Sequence, residues 1–576
     1  MLSLLILLRV AAAATLLPSV RAKDWDGEPY TWLYQYALPI PPLASPKMNI
    51  INPVTNNTIQ YFEMTVLPFS QQIYPGKEAT DLVGYEAMSP GPTFLIEKGQ
   101  ETVVRFINNA TNPAAVHVHG SPTRAPWDGW ADDTFLPGQY KDYYYPNFQS
   151  ARTIWYHDHA VDITSVNAYY GQAGAYIIHD PAEDALGLPS GYGTYDLPMV
   201  LMSKEYQSSG QLISPAGNTV SLYGDVIHVN GQPWPYHAVE PCRYRLRVVN
   251  AAISRAFDIY FVADNSTDRI PFQVVGSDSG LLSKPADTDS LHVGMGERYD
   301  VVFDFGGYAG SNVTMRNQDN VGGDAVYLNT DKVMRFVVSG DSVGDTSAVP
   351  DTLADIAALP EKDTPAYTFE FAVGADNNWL INGVGFDDVA NRVLARPPRG
   401  TVELWELRNG AGGLLHPVHV HLVDFKVISR TGGQGRGVQN YESQGLKDVV
   451  WVDRDETVTV EAWYAPWDGV YMFHCHNLVH EDHYMMDAFN VTQITDLGYN
   501  ETEFNDPMEA RWRAKDYDSA DFTPDAITAT VQYMASLKPY SDWQEVEEKL
   551  KEYWAAHGGA KRRRTDKRAR MIRHSV

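Results

Sequence analysis

The sequence predicts an all-β protein made of sandwich domains in series, closed by a short helical tail. Three observations carry this expectation. Between about residue 59 and residue 495 the chain is dominated by short β-type runs, among them ETVVRFIN, DVIHVNG, YRLRVVN, VMRFVVSG and TVELWELRN, with little helical periodicity. Gly, Pro, Asn and Asp punctuate these runs at spacings typical of sandwiches. A degenerate internal repeat then orders them. TVVRFINN followed by HVHG (117–120) and WYHDH (155–159) echoes TVELWELRNG followed by HPVHVH (416–421) and MFHCH (472–476). A third copy, YRLRVVNAA (244–252), has no histidine pair after it, so the first and last domains are expected to carry chemistry and the middle one to act as a spacer.

Taken in order, residues 1–22 (MLSLLILLRVAAAATLLPSVRA) read as a secretory signal peptide ending in Val20-Arg21-Ala22, since Arg9 and Pro18 interrupt any longer anchor. A chain of 576 residues exceeds what one core organises. The first domain is placed at 23–195 with an N-terminal extension, the second at 196–362 and the third at 363–500. Linkers are expected near 180–195 and 339–366. The remainder, 501–576, changes character. Thr523-Pro524 opens a helical pattern with Ile527, Val531 and Met534 on one face. Ser541 with Gln544 suggests a capping box for a second helix carrying Trp543, Val546, Leu550 and Tyr553, with Gly558 as its stop. Both helices are expected to pack on the last β domain, and the basic end KRRRTDKRARMIR is read as a solvated or trimmed tail.

Composition narrows the function classes. Hydrophobic residues at 44% and charged residues at 20% describe an ordinary globular protein, and a net charge of -27 disfavours nucleic acid or anionic membrane as partners. Sequons at Asn56, Asn109, Asn265, Asn312, Asn490 and Asn500 suit an exported glycoprotein, located extracellularly or at a cell wall. Only two cysteines occur, so no disulfide framework supports the fold. Cys475 lies between histidines and reads as a metal thiolate, whereas Cys242 reads as an inert buried thiol.

On a β-strand residues i and i+2 share a face, so an H-x-H triplet presents two imidazoles side by side. Four such triplets occur: His117/His119, His157/His159, His419/His421 and His474/His476. With His416 and His480 they use ten of the 17 histidines, which chance clustering does not explain. His416, Cys475, His480 and Met485 supply two imidazoles, a thiolate and a thioether, the donor set of a blue-copper electron-transfer site. Zinc, the rival metal, has no use for the methionine and no redox cycle. The other eight imidazoles suit three further coppers between the first and third domains, with His474-Cys475-His476 as a covalent wire between the two sites.

These motifs, in this order over residues 55–495, resemble the multicopper oxidases, a family that includes laccases, bilirubin oxidases, ascorbate oxidases and ferroxidases. The resemblance implies three cupredoxin-like Greek-key sandwiches and four copper ions. It implies type 1 ligands His416, Cys475, His480 and Met485, and type 2 ligands His117 and His419. The type 3 pair would take His119, His157, His159, His421, His474 and His476. HVHGSPTRAPWDGWADD, HPVHVHLVDFKVISR and HCHNLVHEDHYMMDAFN look most like fungal bilirubin oxidases. Leu414 departs from that pattern, because such enzymes carry tryptophan there, two residues before the imidazole at which electrons are expected to arrive.

Oxygen reduction consumes protons, so an acid is required near the cluster. Asp128 in WDGW matches the family's acid, with a turn-forming role beside Gly129 as its alternative. Glu481, after His480, is a second candidate, weighed against a plain surface charge; His483 and Met486 read as bystanders. The implied partners are dioxygen and small phenolic, aryl-amine or tetrapyrrole reductants, acting on a monomer. A metallo-oxidase of ferrous or cuprous ions is the alternative enzyme, with Asp424 or Glu481 as carboxylates for iron; the 15 scattered methionines do not favour a copper-specific version. A simple copper carrier would leave eight imidazoles unexplained. Metal analysis of the purified protein is expected to find about four coppers per chain and little zinc. Cys475→Ser should remove both the blue colour and the turnover of organic reductants.

Overall fold

The computed structural model describes residues 22–557 except 342, 411–413, 498–502 and 541. The signal peptide (all but Ala22), the Asn500 sequon, Ser541, Gly558 and the basic tail therefore lie outside the described residues. So does part of the Gly-rich loop before Leu414.

Six sheets pair into three β-sandwiches, with six and four strands, seven and five, and five and five. The sequence repeat marks the same strand in each one. Thr102–Asn108, Arg243–Asn250 and Val402–Asn409 each lie in the middle of a sheet, almost wholly buried in the first two cases. Each runs parallel to an earlier strand: 102–108 beside 60–66, 245–250 beside 196–201, and 405–409 beside 367–371. Parallel pairing needs a crossover to the second sheet, which is how each unit closes as a sandwich.

All three copies end in a buried asparagine, and its job is visible. Asn108 Nδ2 donates to the carbonyls of Asn112 and Phe135, Asn250 Nδ2 to those of Arg255 and Val293, and Asn409 Nδ2 to those of Leu414 and Val452. A buried carbonyl left unpaired costs about 1–3 kcal/mol, so a side-chain amide at this crossing is strongly favoured.

The first and third sandwiches share one continuous apolar cluster, in which Phe62, Tyr143 and Tyr156 join Phe369, Trp405 and Phe473. The middle sandwich has its own core and touches the third through Leu478 and Val479. Cys242 is buried at its margin, where burial first and then nearby carboxylates push the thiol up to about 11, as an inert thiol requires. Residues 339–366 carry no regular element where they are described. No helix among the described residues is long and apolar enough to cross a membrane.

The tail corrects one expectation. Thr523 caps the helix Pro524–Ser536 by accepting from Ala526 N–H, and Ile527, Val531 and Met534 are buried as the periodicity demands. That face packs on the first sandwich and not on the last, with Gln532 donating to the Ile51 carbonyl at 3.3 Å and Tyr540 OH to the Tyr144 carbonyl at 2.6 Å. Just before it, Lys515–Asp516 adds an edge strand to Gln139–Tyr145. The second helix, Trp543–His557, does dock on the third sandwich: Leu550 is fully buried beside Ala465, and Trp554 Nε1 donates to the Arg399 carbonyl at 2.9 Å. Sequence pattern identifies an apolar face but not the surface that covers it. At the start of the second helix Trp543 stacks on Phe148 of the first sandwich at 4.3 Å, so the tail clasps the first and third sandwiches together. Leu550→Ala is expected to destabilise this docking by about 2–5 kcal/mol. Hydrogen exchange of residues 543–557 should accelerate accordingly, while the blue colour persists.

Candidate metal centre

Four strands place the paired histidines within or just past their ends, and the short helix Leu478–Asp482 carries His480. Val116–His119 pairs with Arg152–Asp158 so that His117 faces His157, and His416–Val420 pairs with Gly469–Cys475 so that His419 faces His474 and Val418 faces Cys475. The i, i+2 alternation turns each pair to one side. The two sheets meet there, and all ten imidazoles are at most 1% exposed.

Their ring nitrogens and the Cys475 sulfur converge in sets, and one of these, His117 with His119 and His419, shares His119 with the next. His119, His157 and His476 form one, His159, His421 and His474 a second, and His416, Cys475 and His480 a third. His117 and His419 face each other with Nε2 atoms 3.4 Å apart. Within the sets, His159 and His421 both bring Nε2 to 3.2 Å from His474 Nε2, and His476 Nε2 lies 3.2 Å from His119 Nδ1. Two donors on one tetrahedral metal at ~2.0–2.1 Å stand ~3.3 Å apart, so these separations fit shared metal ions. The same holds at Cys475, whose Sγ lies 3.3 Å from His416 Nδ1 and 3.7 Å from His480 Nδ1.

Electrostatics agrees with that fit. Burial first, and neighbouring imidazoles second, hold His117, His119, His419, His421, His476 and His480 well below 6.5. Burial takes His157 and His416 to about 3 and His159 to about 4. Neutral imidazole is the ligating form. Burial also pushes the Cys475 thiol up, so its thiolate needs a bound cation. Asn477 N–H donates to that sulfur at 3.4 Å. Met485 is fully buried, with its N–H on the His480 carbonyl and its carbonyl accepting from Cys475 N–H.

The far ring nitrogens are held from behind, as metal-bound imidazoles require. His117 Nδ1 lies 2.5 Å from the Asp128 carbonyl, His419 Nδ1 2.8 Å from that of Asp448, and His157 Nδ1 2.8 Å from that of Asp158. Asp128 Oδ2 is 2.7 Å from His421 Nδ1, while its Oδ1 makes no hydrogen bond and lies 3.6 Å from His117 Nδ1. Burial alone raises the Asp128 carboxyl well above its usual range. Glu481 is 3% exposed, not a surface charge, and spans two ligand candidates with Oε2 3.0 Å from His474 Nδ1 and Oε1 3.5 Å from His159 Nδ1. Burial would raise it, but the His474 and His159 imidazoles outweigh burial and hold it at about 2.

Other sequence candidates fall elsewhere. Asp424 forms a two-point pair with Arg152 at 2.8 and 2.9 Å. His483 turns its Nδ1 to the Val479 carbonyl, and Met486 packs with Trp130 and Phe386. Leu414 is half-buried, and His416 beyond it has an Nε2 with no protein partner. Sequence reasoning missed Trp379, which stacks on His480 at 3.9 Å, and Asp448 and Arg298 behind the cluster. Trp379 Nε1 in turn donates to the Thr219 carbonyl at 2.8 Å, beside Val220, which is 49% exposed. Lys447-Asp448, two charges directly before the apolar strand Val449–Val452, was the available signal for one of them.

Three family profiles described as "Multicopper oxidase" match residues 69–183, 195–331 and 359–494. A bilirubin oxidase of Albifimbria verrucaria is 55% identical over 525 residues, covering 88% of this chain and 91% of that protein. A laccase of Bacillus subtilis is 31% identical over 518 residues, with 79% and 98% covered. The crystal structure of the McoA multicopper oxidase from Aquifex aeolicus superposes with a TM-score of 0.71 at 28% identity, covering 79% of this chain and 99% of that one.

Proposed function

The chain belongs to the multicopper oxidase family, and from that premise we propose how its residues divide the work. It is a copper oxidoreductase of the laccase and bilirubin oxidase type, coupling oxidation of an organic reductant to reduction of dioxygen. In our reading His416, Cys475, His480 and Met485 hold one copper. His117 and His419 hold a second, and His119, His157, His476, His159, His421 and His474 hold a pair. The bound metal supplies one-electron steps at the first position and four-electron reduction of dioxygen to water at the other three.

One observation carries the division: His474, Cys475 and His476 are consecutive, yet their side chains belong to three different donor sets. The backbone between them is the shortest connection the chain can make from one site to the next. His480 lies under Trp379, which bonds the segment carrying the exposed Val220, and this supports the edge as the one nearest an external reductant. Phenols, aryl amines and tetrapyrroles are the proposed reductants. Asp424 and Glu481 are engaged by Arg152 and by two imidazoles, which leaves a ferrous-ion site without the carboxylates assigned to it. We place the protein outside the cell as a monomer, on the strength of the leader-like N-terminus and its acidic surface.

The two carboxylates differ in the way proton handling needs. Asp128, whose carboxyl burial raises well above its usual range, presents an Oδ1 free of hydrogen bonds and able to carry a proton, and Glu481, whose carboxyl His474 and His159 lower, lies against both imidazoles. Environments that push two acids apart are how one site performs both roles at neutral pH. Asp128→Asn is expected to lower turnover by about 10²–10⁴-fold. Anaerobic reduction of the blue site should stay near normal, while reoxidation by dioxygen slows and loses its pH dependence. Reoxidation at a near-wild-type rate with an unchanged pH profile would assign Asp128 to turn formation beside Gly129.

Leu414→Trp should alter turnover of large aromatic reductants, bilirubin included, without changing copper content. Parallel assays with phenols, bilirubin and Fe(II) read this directly, and unchanged kinetics with every aromatic substrate would remove Leu414 from the reductant site.

A further inference from the structure

We propose that Arg298, from the middle sandwich, is a positioning residue for the copper cluster, acting through Asp448 on His119 and His419. The inference rests on the reading that these imidazoles bind copper. Asp448 Oδ1 stands 3.0 Å from His119 Nε2 and 3.8 Å from His419 Nδ1, and the Asp448 backbone carbonyl lies 2.8 Å from the same His419 nitrogen. One residue thus holds an imidazole of the His117/His419 position and an imidazole of the paired position.

Arg298 fixes that carboxylate by two parallel hydrogen bonds, Nη1 to Oδ1 at 2.5 Å and Nη2 to Oδ2 at 2.6 Å. A fork-to-fork pair of this kind sets direction as well as strength. The other N–H groups are also used: Nη1 donates to the Gly296 carbonyl at 3.1 Å, Nη2 to the Asp278 carbonyl at 3.0 Å, and Nε to the Thr153 carbonyl at 3.2 Å. Thr153 lies on the strand that bears His157, Asp448 belongs to the third sandwich, and Gly296 and Asp278 belong to the second. All five donors of one fully buried guanidinium therefore tie three domains together behind the cluster.

The surroundings are built to the same fit. Gly296 has φ +82°, and a Cβ there would stand 2.7 Å from the His476 ring. A Cβ on Gly120, at φ +97°, would stand 2.7 Å from Arg298 Nη2 and 2.8 Å from Asp448 Oδ2. Lys447 pairs with Asp278 at 2.9 Å and Glu297 at 3.1 Å, so three buried carboxylates face two buried cations beside the imidazoles. The residual negative charge suits a neighbouring metal cation. The middle sandwich, which lacks histidine pairs, acts on the chemistry by holding a carboxylate that holds two ligands.

The test compares copper-loaded wild type with Arg298→Gln and Arg298→Lys. Lysine keeps the charge but replaces the fork with a single point. Wild type should be blue with about four coppers; a colourless or copper-free wild type would refute the underlying ligand reading and not the role of Arg298. Loss of such an outer partner typically weakens metal binding by about 10–100-fold. Dialysis against a chelator should therefore remove about one copper per chain from the variants, with a matching loss of the type 2 electron paramagnetic resonance signal. The blue absorption, whose ligands Arg298 does not touch, should remain, and the loss should be smaller in Arg298→Lys than in Arg298→Gln. An unchanged type 2 signal and copper count in both variants overturns the proposal. Equal, parallel loss of blue absorption and type 2 signal also overturns it, since that pattern marks a general support of the fold. If Arg298→Gln fails to fold, Arg298→Lys decides by the same two readouts.

Discussion

The approach of His117 to His419, ring nitrogens 3.4 Å apart across 302 residues of chain, sets the demand that the rest of the structure meets. Two β-sandwiches remote in sequence must present imidazole pairs to each other at metal-binding separation. A single strand places its pair by alternation, but the separation between pairs depends on how the sheets abut. A shared apolar core spanning both domains holds that separation from one side. The tail, docked on both, holds it from another. Arg298 holds it from behind, where the middle sandwich closes the third side. Interiors packed to crystal-like density resist the sub-ångström slippage that would spoil such a site.

Much of this was legible in the residues because strand geometry is periodic. The H-x-H triplets, the repeat that places them, and the axial donors around Cys475 all follow from short-range pattern. The helices of the tail were legible for the same reason: Thr523, Pro524 and the Ile527, Val531, Met534 stripe encode a helix without reference to anything else. What failed to show was long-range. The surface under that stripe, the burial of Glu481, and the reach of Arg298 into another domain's site depend on which sheets meet. No local spacing specifies that. Asp448, just before a strand, and Trp379, within one, are unremarked single residues until the fold brings them to His119 and His480.

The middle sandwich shows how far a spacer reading can mislead. Absence of a histidine pair in the third repeat copy leaves it out of the expected ligand set. It does not remove it from the site, because ligands need partners on their far side, and those partners are ordinary charged residues with no spacing signature. Buried charge is the physical trace that remains. Arg298, Asp278, Lys447 and Glu297 are all nearly inaccessible, and groups so costly to desolvate persist where they are fully paired.

The clasp formed by the tail also imposes an order on biosynthesis. Sequential synthesis delivers the first sandwich while the third is still unmade, and domains generally fold as they emerge. Half of the paired imidazoles then wait in a folded first domain, facing a surface that does not yet exist. The third sandwich brings the remainder, and only afterwards do the helices Pro524–Ser536 and Trp543–His557 emerge to fasten the two together. Closure of the site is therefore a late event, because the helices that fasten the first sandwich are made after both it and the third.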